Sequence, residues 1–418
     1  MALPAVLLTA AAAAAAWPLD GATQAVLFED HRAPVVTIVV ELPVGTWSPL
    51  FEREDGETAF TFQDDDPGRS LRRRMDATGI TIDLDADRRY SVLRATTLSD
   101  RVPQALDLIK EVLANRAYDE RELSRHRRER KILWRQTDTD VGFKLSQAAA
   151  RELFAEGDPR RRAWEKPPDA STDVAALADT RDAILRTPGR LVGFAGDVTR
   201  AEAERWAAGL LPAAGATPSG VTPALAPVRP AAERVRERDL PIRKLTQVYL
   251  AYVRDSIPLD DPRRPAFLIA DHVLGGHFYS RLVTALRHEG GETYGAGTRD
   301  DGDTAVGVYR VSTFTRADNA AHIEAKLRET LRVFRDGGIT EEERASAVSA
   351  LSGARAFTRQ APGQLLARYR LERRLGLPEG AIDATIDRAA GVPLEEINAF
   401  IRAYYDPAAF SMLRAVPR

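Results

Sequence analysis

Apolar residues recur along this chain with two periods, near 2 and near 3.6, and their order predicts the elements. Residues 24–28 and 35–42 are runs rich in Val, Leu and Ile that read as strands, with Pro34 at an entry position where no ladder donor is lost. Residues 71–78 read as a short helix, followed by alternating strand patterns over 80–84 and 90–97. In 100–113 the apolar residues Val102, Leu106, Ile109 and Leu113 fall on one helical stripe, which predicts a buried face. Residues 119–136 and 174–185 are further helices, and 190–194 is a strand.

The stretch 212–232 breaks this rhythm. Pro, Ala, Gly and Thr dominate it, as in a semi-extended linker. Beyond it the order of elements comes round again: a strand over 246–253, helices over 265–273 and 280–287, a strand over 306–315 and a helix over 319–335. Ala95-Thr96-Thr97-Leu98 leads into the first long helix and Val311-Ser312-Thr313-Phe314 into its counterpart. Acidic helix starts follow in both halves, Asp119-Glu120-Arg121-Glu122 and Thr340-Glu341-Glu342-Glu343. Each half closes on a strand, 190–194 after Thr187-Pro188-Gly189 and 410–415 after Asp406-Pro407. A spacing this long marks a duplicated domain rather than a solenoid. The expected fold is therefore α+β: two duplicated domains, 17–211 and 235–418, joined by a linker at 212–234, each a mainly antiparallel sheet packed with helices.

Composition narrows the chemistry. The formal net charge is −2, so nothing favours nucleic acid or an anionic membrane as the main partner. Arg121, Arg125, Arg127, Arg128, Arg130 and Lys131 are interleaved with acids and spread by helical spacing, which reads as a solvated face. Cysteine is absent, which removes disulfides, thiolate zinc sites and a cysteine nucleophile. Residues 1–16 are almost wholly small or apolar and end in an alanine run, resembling a secretory signal, although no Lys or Arg precedes them. The run is too short for a membrane span of about 20 residues, and export implies a periplasmic location.

The most informative stretch is Leu274-Gly275-Gly276-His277-Phe278-Tyr279-Ser280-Arg281-Leu282, continuing through Leu286-Arg287-His288-Glu289-Gly290-Gly291-Glu292-Thr293-Tyr294. Ser280 suits the cap of a helix that buries Leu282, Val283 and Leu286, and Gly290 and Gly291 suit its stop. By themselves, Arg287 reads as a helix-end cation and Tyr294 as a sheet residue. The stretch resembles the second-half signature of the pitrilysin/insulinase-like metallopeptidases. That resemblance implies that Arg287 at the helix end and Tyr294 on the next strand face one cavity and position a peptide carbonyl held at zinc.

The same family carries His-x-x-Glu-His on a helix of its first half, two zinc ligands flanking a catalytic Glu. Aligning Gly56 with the preceding family glycine puts Ala59, Phe62 and Gln63 where His, Glu and His are expected. Methyl and phenyl groups cannot bind zinc, and an amide is a poor ligand and a poor base. The six histidines offer no pair at i, i+4 spacing; His272 and His277, five apart across the Gly-Gly turn, are the nearest to one. Asp64-Asp65-Asp66 reads as a solvated loop. Family members of this length often work as pairs of related chains. The resemblance therefore implies a non-zinc subunit, inactive alone, that binds no metal and completes the site of a zinc-bearing homologous partner acting on peptides. A non-peptidase scaffold or chaperone-like member of the family is the alternative.

Overall fold

A computed structural model describes residues 14–53, 56–61, 71–116, 118–165, 173–216, 225–288 and 293–418. The described chain forms two compact units. Eleven strands are assigned among these residues: β1 Ala15–Asp20, β2 Thr23–Glu29, β3 Val35–Leu42, β4 Thr81–Ala86, β5 Ser91–Leu98, β6 Arg190–Gly196, β7 Glu237–Ile242, β8 Gln247–Asp255, β9 Ala296–Asp300, β10 Val308–Arg316 and β11 Ser411–Pro417. They make one sheet in each unit, of orders β1-β2-β6-β3-β5-β4 and β7-β11-β8-β10-β9. Apart from the extra β1, the two orders are the same when strands are counted along each half. In each sheet one pair, β2 with β6 and β7 with β11, is parallel and the other pairs are antiparallel. The fold is the α+β arrangement of two sheets packed with helices that the apolar rhythm predicts.

In the first unit the sheet is buried on both faces. Leu27, Ile38, Val40, Leu93 and Ala95 meet Val102, Leu106, Ile109 and Leu113 of the helix Val102–Ala114, so the whole predicted stripe is in the core. The alternate residues Val26, Phe28, Val39, Val92, Leu191 and Ala195 meet Leu366 on the helix Pro362–Arg374. Burial on both sides is why residues 25–28 read as an unbroken apolar run. The second unit repeats the scheme. Leu250 and Tyr252 face a core with Ile323, Leu327 and Leu331, while Ala251 and Val253 face Leu145, Ala148 and Ala149 of the helix Val141–Leu153.

The units are not continuous in sequence. One draws on Met1–Arg128, Pro167–Pro223 and Ala356–Gly376, the other on Glu129–Lys166, Ala224–Arg355 and Leu377–Arg418. This differs from the division into 17–211 and 235–418 at two helices, Val141–Leu153 and Pro362–Arg374, each of which covers the sheet of the opposite half. The second of them is fixed by charge as much as by apolar burial. Glu41 of β3 has no solvent exposure and accepts from Arg370 Nε at 2.7 Å and Arg374 Nε at 2.8 Å. The stretch read as a linker is pinned at both described ends. Gly215 N–H donates to the Arg186 carbonyl at 2.9 Å, and Ala226 N–H donates to Asp158 at 3.1 Å.

β1 begins inside the segment read as a secretory signal, the earlier part of which lies outside the described residues. Among the described residues no helix is long and apolar enough to cross a membrane.

Candidate functional site

The Arg287 segment starts from the helix Arg264–Gly275. Gly275 is required by close approach: a Cβ there would lie 2.7 Å from the Thr298 nitrogen of β9 and 2.9 Å from Leu282. At Gly276 a Cβ would meet His272 Cα at 2.7 Å. Ser280 occupies the N-cap position, but its hydroxyl is buried and has no hydrogen-bond partner, unlike the cap expected of it. The helix is also shorter than expected. One α-turn at Arg281–Val283 passes into a π-helical turn at Thr284–His288, with Leu282 and Leu286 both fully buried. Such widened turns occur frequently at functional sites.

Two arginines of this segment have opposite surroundings. Arg281 makes a two-pronged ion pair with Glu343, Nε and Nη2 lying 2.8 and 2.7 Å from its carboxylate oxygens. Glu343 also closes a reciprocal cap with Thr340 at the start of the helix Glu341–Phe357. The Arg281 and Thr340 hydrogen bonds hold the Glu343 carboxyl below its ordinary range despite the opposing effect of burial. Arg287 has no carboxylate partner among the described residues, and its guanidinium lies 4.7 Å from the centroid of the Phe278 ring.

Tyr294 precedes β9 rather than lying on it, and 83% of it is exposed. Thr293 anchors the backbone beside it, donating to the Phe314 carbonyl at 2.5 Å and accepting from Gly295 N–H at 3.2 Å. Residues 289–292, between Arg287 and Tyr294, lie outside the described residues. His272 and His277 stack with centroids 4.5 Å apart and planes 17° apart. Ring nitrogens bind metals in the ring plane, and two nearly parallel planes share no such point, so this pair is not arranged to hold one cation.

The region expected to carry the zinc motif is organised differently. Ala59 lies on the short helix Gly56–Thr61, fully buried in an apolar cluster with Tyr118, Leu123, Leu177 and Ala178. The carbonyls at that helix end are occupied. Tyr118 OH donates to Ala59 O at 2.7 Å, and Arg181 Nη1 donates to Ala59 O at 3.0 Å and Phe60 O at 2.9 Å. Arg181 Nη2 reaches Val112 O at 2.5 Å. Arg181 is 2% exposed, and its burial depresses the guanidinium's proton affinity. Burial likewise pushes the Tyr118 phenol up. Phe62 and Gln63 lie outside the described residues.

Comparison with known proteins gives a family likeness over part of the chain. Residues 176–351 match the family model described as the peptidase M16 inactive domain. The Arg287 and Tyr294 motif lies within that matched stretch. An uncharacterized zinc protease of Streptomyces coelicolor is 24% identical over 340 residues, covering 78% of this chain and 72% of that protein. The fold matches a peptidase M16 inactive domain from Pseudomonas fluorescens with a TM-score of 0.79 at 17% identity, over 97% of this chain and 98% of that one. It also matches a protease from Helicobacter pylori, TM-score 0.82 at 12% identity, over 97% and 100%. The periplasmic protease PqqL from Escherichia coli matches with a TM-score of 0.74 at 12% identity, over 100% of this chain but 49% of its own.

For the family's zinc, the residues around Ala59 do not fit. A methyl group stands at the position aligned with the first ligand, walled by apolar side chains. A buried guanidinium bonded to its carbonyl opposes a dication by like charge. Among the described residues no group of three or more His, Asp or Glu is gathered to hold a metal ion. Arg281 and Thr293 are the structural residues that motif reading passed over; their signal was their position inside the motif.

Proposed function

We propose that this chain is the non-zinc subunit of a two-chain metallopeptidase, supplying Arg287 and Tyr294 to a peptide held by a homologous, zinc-bearing partner. The observation that carries the reading is the state of Arg287. A guanidinium seated by an aromatic ring, with no carboxylate partner among the described residues, keeps its N–H donors for an incoming acceptor. Aimed at a scissile carbonyl, such a donor favours the developing oxyanion over the ground state. The largely exposed Tyr294 phenol is a second donor of the same kind. The packing around Ala59 supports assigning the zinc to the partner. A periplasmic setting is supported by the apolar residues 1–16 and by the fold likeness to a periplasmic protease.

Mixing tests this. The chain alone is expected to cleave no peptide, and a zinc-bearing homologue, sought first in a neighbouring reading frame, is expected to restore activity on mixing. Arg287→Ala is expected to lower kcat of the pair by about 100-fold, the scale of losing one oxyanion donor. Tyr294→Phe is expected to lower it less. Activity of the lone chain would sink the subunit reading. A pair indifferent to both substitutions would favour the scaffold or chaperone-like alternative.

A further inference from the structure

The segment that carries Arg287 also exposes aromatic surface that oxyanion chemistry does not require. Phe278 is 50% exposed and Tyr279 75%, and their rings meet edge to face with centroids 5.2 Å apart. Large aromatic side chains left in water at adjacent positions mark an interaction surface more often than chance exposure does. The turn that presents them is fixed. Tyr279 N–H donates to His277 Nδ1 at 3.2 Å, Ser280 N–H to the His277 carbonyl at 3.1 Å, and His277 is stacked on His272 of the preceding helix. Burial and the neighbouring His277 both hold His272 below its ordinary 6.5. The Arg287 guanidinium lies 4.7 Å from the centroid of the Phe278 ring.

We propose that Phe278 and Tyr279 are a specificity shelf for a large apolar side chain of the bound peptide, next to the residue held by Arg287. The proposal rests on the reading that this chain binds peptide, and it adds the substrate class: extended segments bearing Phe, Tyr, Leu or Met. The cation on Phe278 links the two functions. A guanidinium held against a ring can still donate to an acceptor such as a main-chain carbonyl, while the exposed ring pair offers apolar area to the adjacent side chain. A shelf preorganised by the His277 bonds loses little freedom when it is covered. An anionic membrane or nucleic acid fits less well, because both need several cations together. Here Arg281 is neutralised by Glu343, leaving Arg287 as the cation beside the shelf.

The test uses the full chain and fluorescein-labelled peptides with blocked ends, identical except for one central residue, Phe or Gly, with Kd read by fluorescence anisotropy. The Phe peptide is expected to bind about tenfold more tightly, a modest fraction of the full transfer of such a side chain out of water. Tyr279→Ala, or Tyr279→Ser if the first variant is poorly soluble, is expected to bring the Phe-to-Gly affinity ratio close to one. Arg287→Ala is expected to weaken both peptides while preserving their ratio. Equal binding of the two peptides, or a ratio that survives Tyr279→Ala, overturns the shelf and leaves the peptide reading intact. Failure of every peptide to bind overturns the shelf, whereas the subunit reading stands or falls on the mixing test. Tyr279-dependent binding to phosphatidylglycerol vesicles, or Tyr279-dependent dimerisation on gel filtration, without a Phe preference assigns the surface to a membrane or to a second copy and overturns the shelf.

Discussion

The helix end at Ala59 is closed by Arg181 of the helix Val174–Arg186, the turn at Thr284–His288 carries Arg287, and the two arginines are used in opposite ways. Arg181 is buried and gives three hydrogen bonds to the carbonyls of Ala59, Phe60 and Val112. Its Nη1 and Nη2 donors are committed to closing the protein. Arg287 lies against the Phe278 ring and has no carboxylate partner among the described residues. The difference sets a sealed region against one that, on the proposed reading, is kept for contact. Around Ala59 the space is filled with apolar groups and one internal cation. Tyr294, proposed to face the peptide, is left largely exposed.

Substitutions test this contrast through stability on one side and function on the other. The largest effect is expected from Arg181→Met, which removes three hydrogen bonds to buried carbonyls, of which only the one to Ala59 is backed by Tyr118. A loss of about 3 kcal/mol in chemical denaturation is expected, and a loss below about 1 kcal/mol would mean that the Ala59 region is not sealed as described. Next is Ala59→His, which overpacks the cluster. It is expected to cost about 2 kcal/mol and to bring no zinc into the purified protein by elemental analysis; bound zinc would break the comparison outright.

Glu343→Gln is expected to cost about 1 kcal/mol, because the pair with Arg281 is only partly shielded from water. The pH dependence follows from the lowered carboxyl. The contribution of Glu343 is fully present above its ordinary value of 4.5 and is lost as pH falls through the lower value of the folded state. The variant should therefore differ from the parent at neutral pH and converge with it in acid. Smallest is Arg287→Ala in the isolated chain, expected to change stability by no more than about 0.5 kcal/mol. A larger loss would move Arg287 into the same structural class as Arg181.

Much of the fold was legible because the relevant faces were apolar and regular. The helix 71–78 and the strand 35–42 have the expected bounds, and Val102, Leu106, Ile109 and Leu113 are buried as one stripe. The two helices that cover the sheet of the opposite half were not legible. Val141–Leu153 packs through small residues, Ala148 and Ala149, around a single leucine, Leu145. Pro362–Arg374 buries Leu366 together with Arg370, a residue that reads as surface until Glu41 is found opposite it. The expected helix 280–287 passes into a π-helical turn, although the spacing of Leu282 and Leu286 would also bury both on one face of an ordinary α-helix.

By itself the sequence determined the strand and helix rhythm and its return in the second half, since those follow from residue type and spacing along the chain; that Ala59 stands where a zinc ligand is expected rests on the family resemblance. Only the tertiary structure decided which helix covers which sheet, that Arg181 rather than solvent satisfies the carbonyls beside Ala59, and that Arg281 is paired with Glu343 while Arg287 rests on Phe278. Those outcomes depend on which buried groups come within hydrogen-bonding distance after long stretches of chain fold back, and a charged side chain carries no local mark of the partner it will meet.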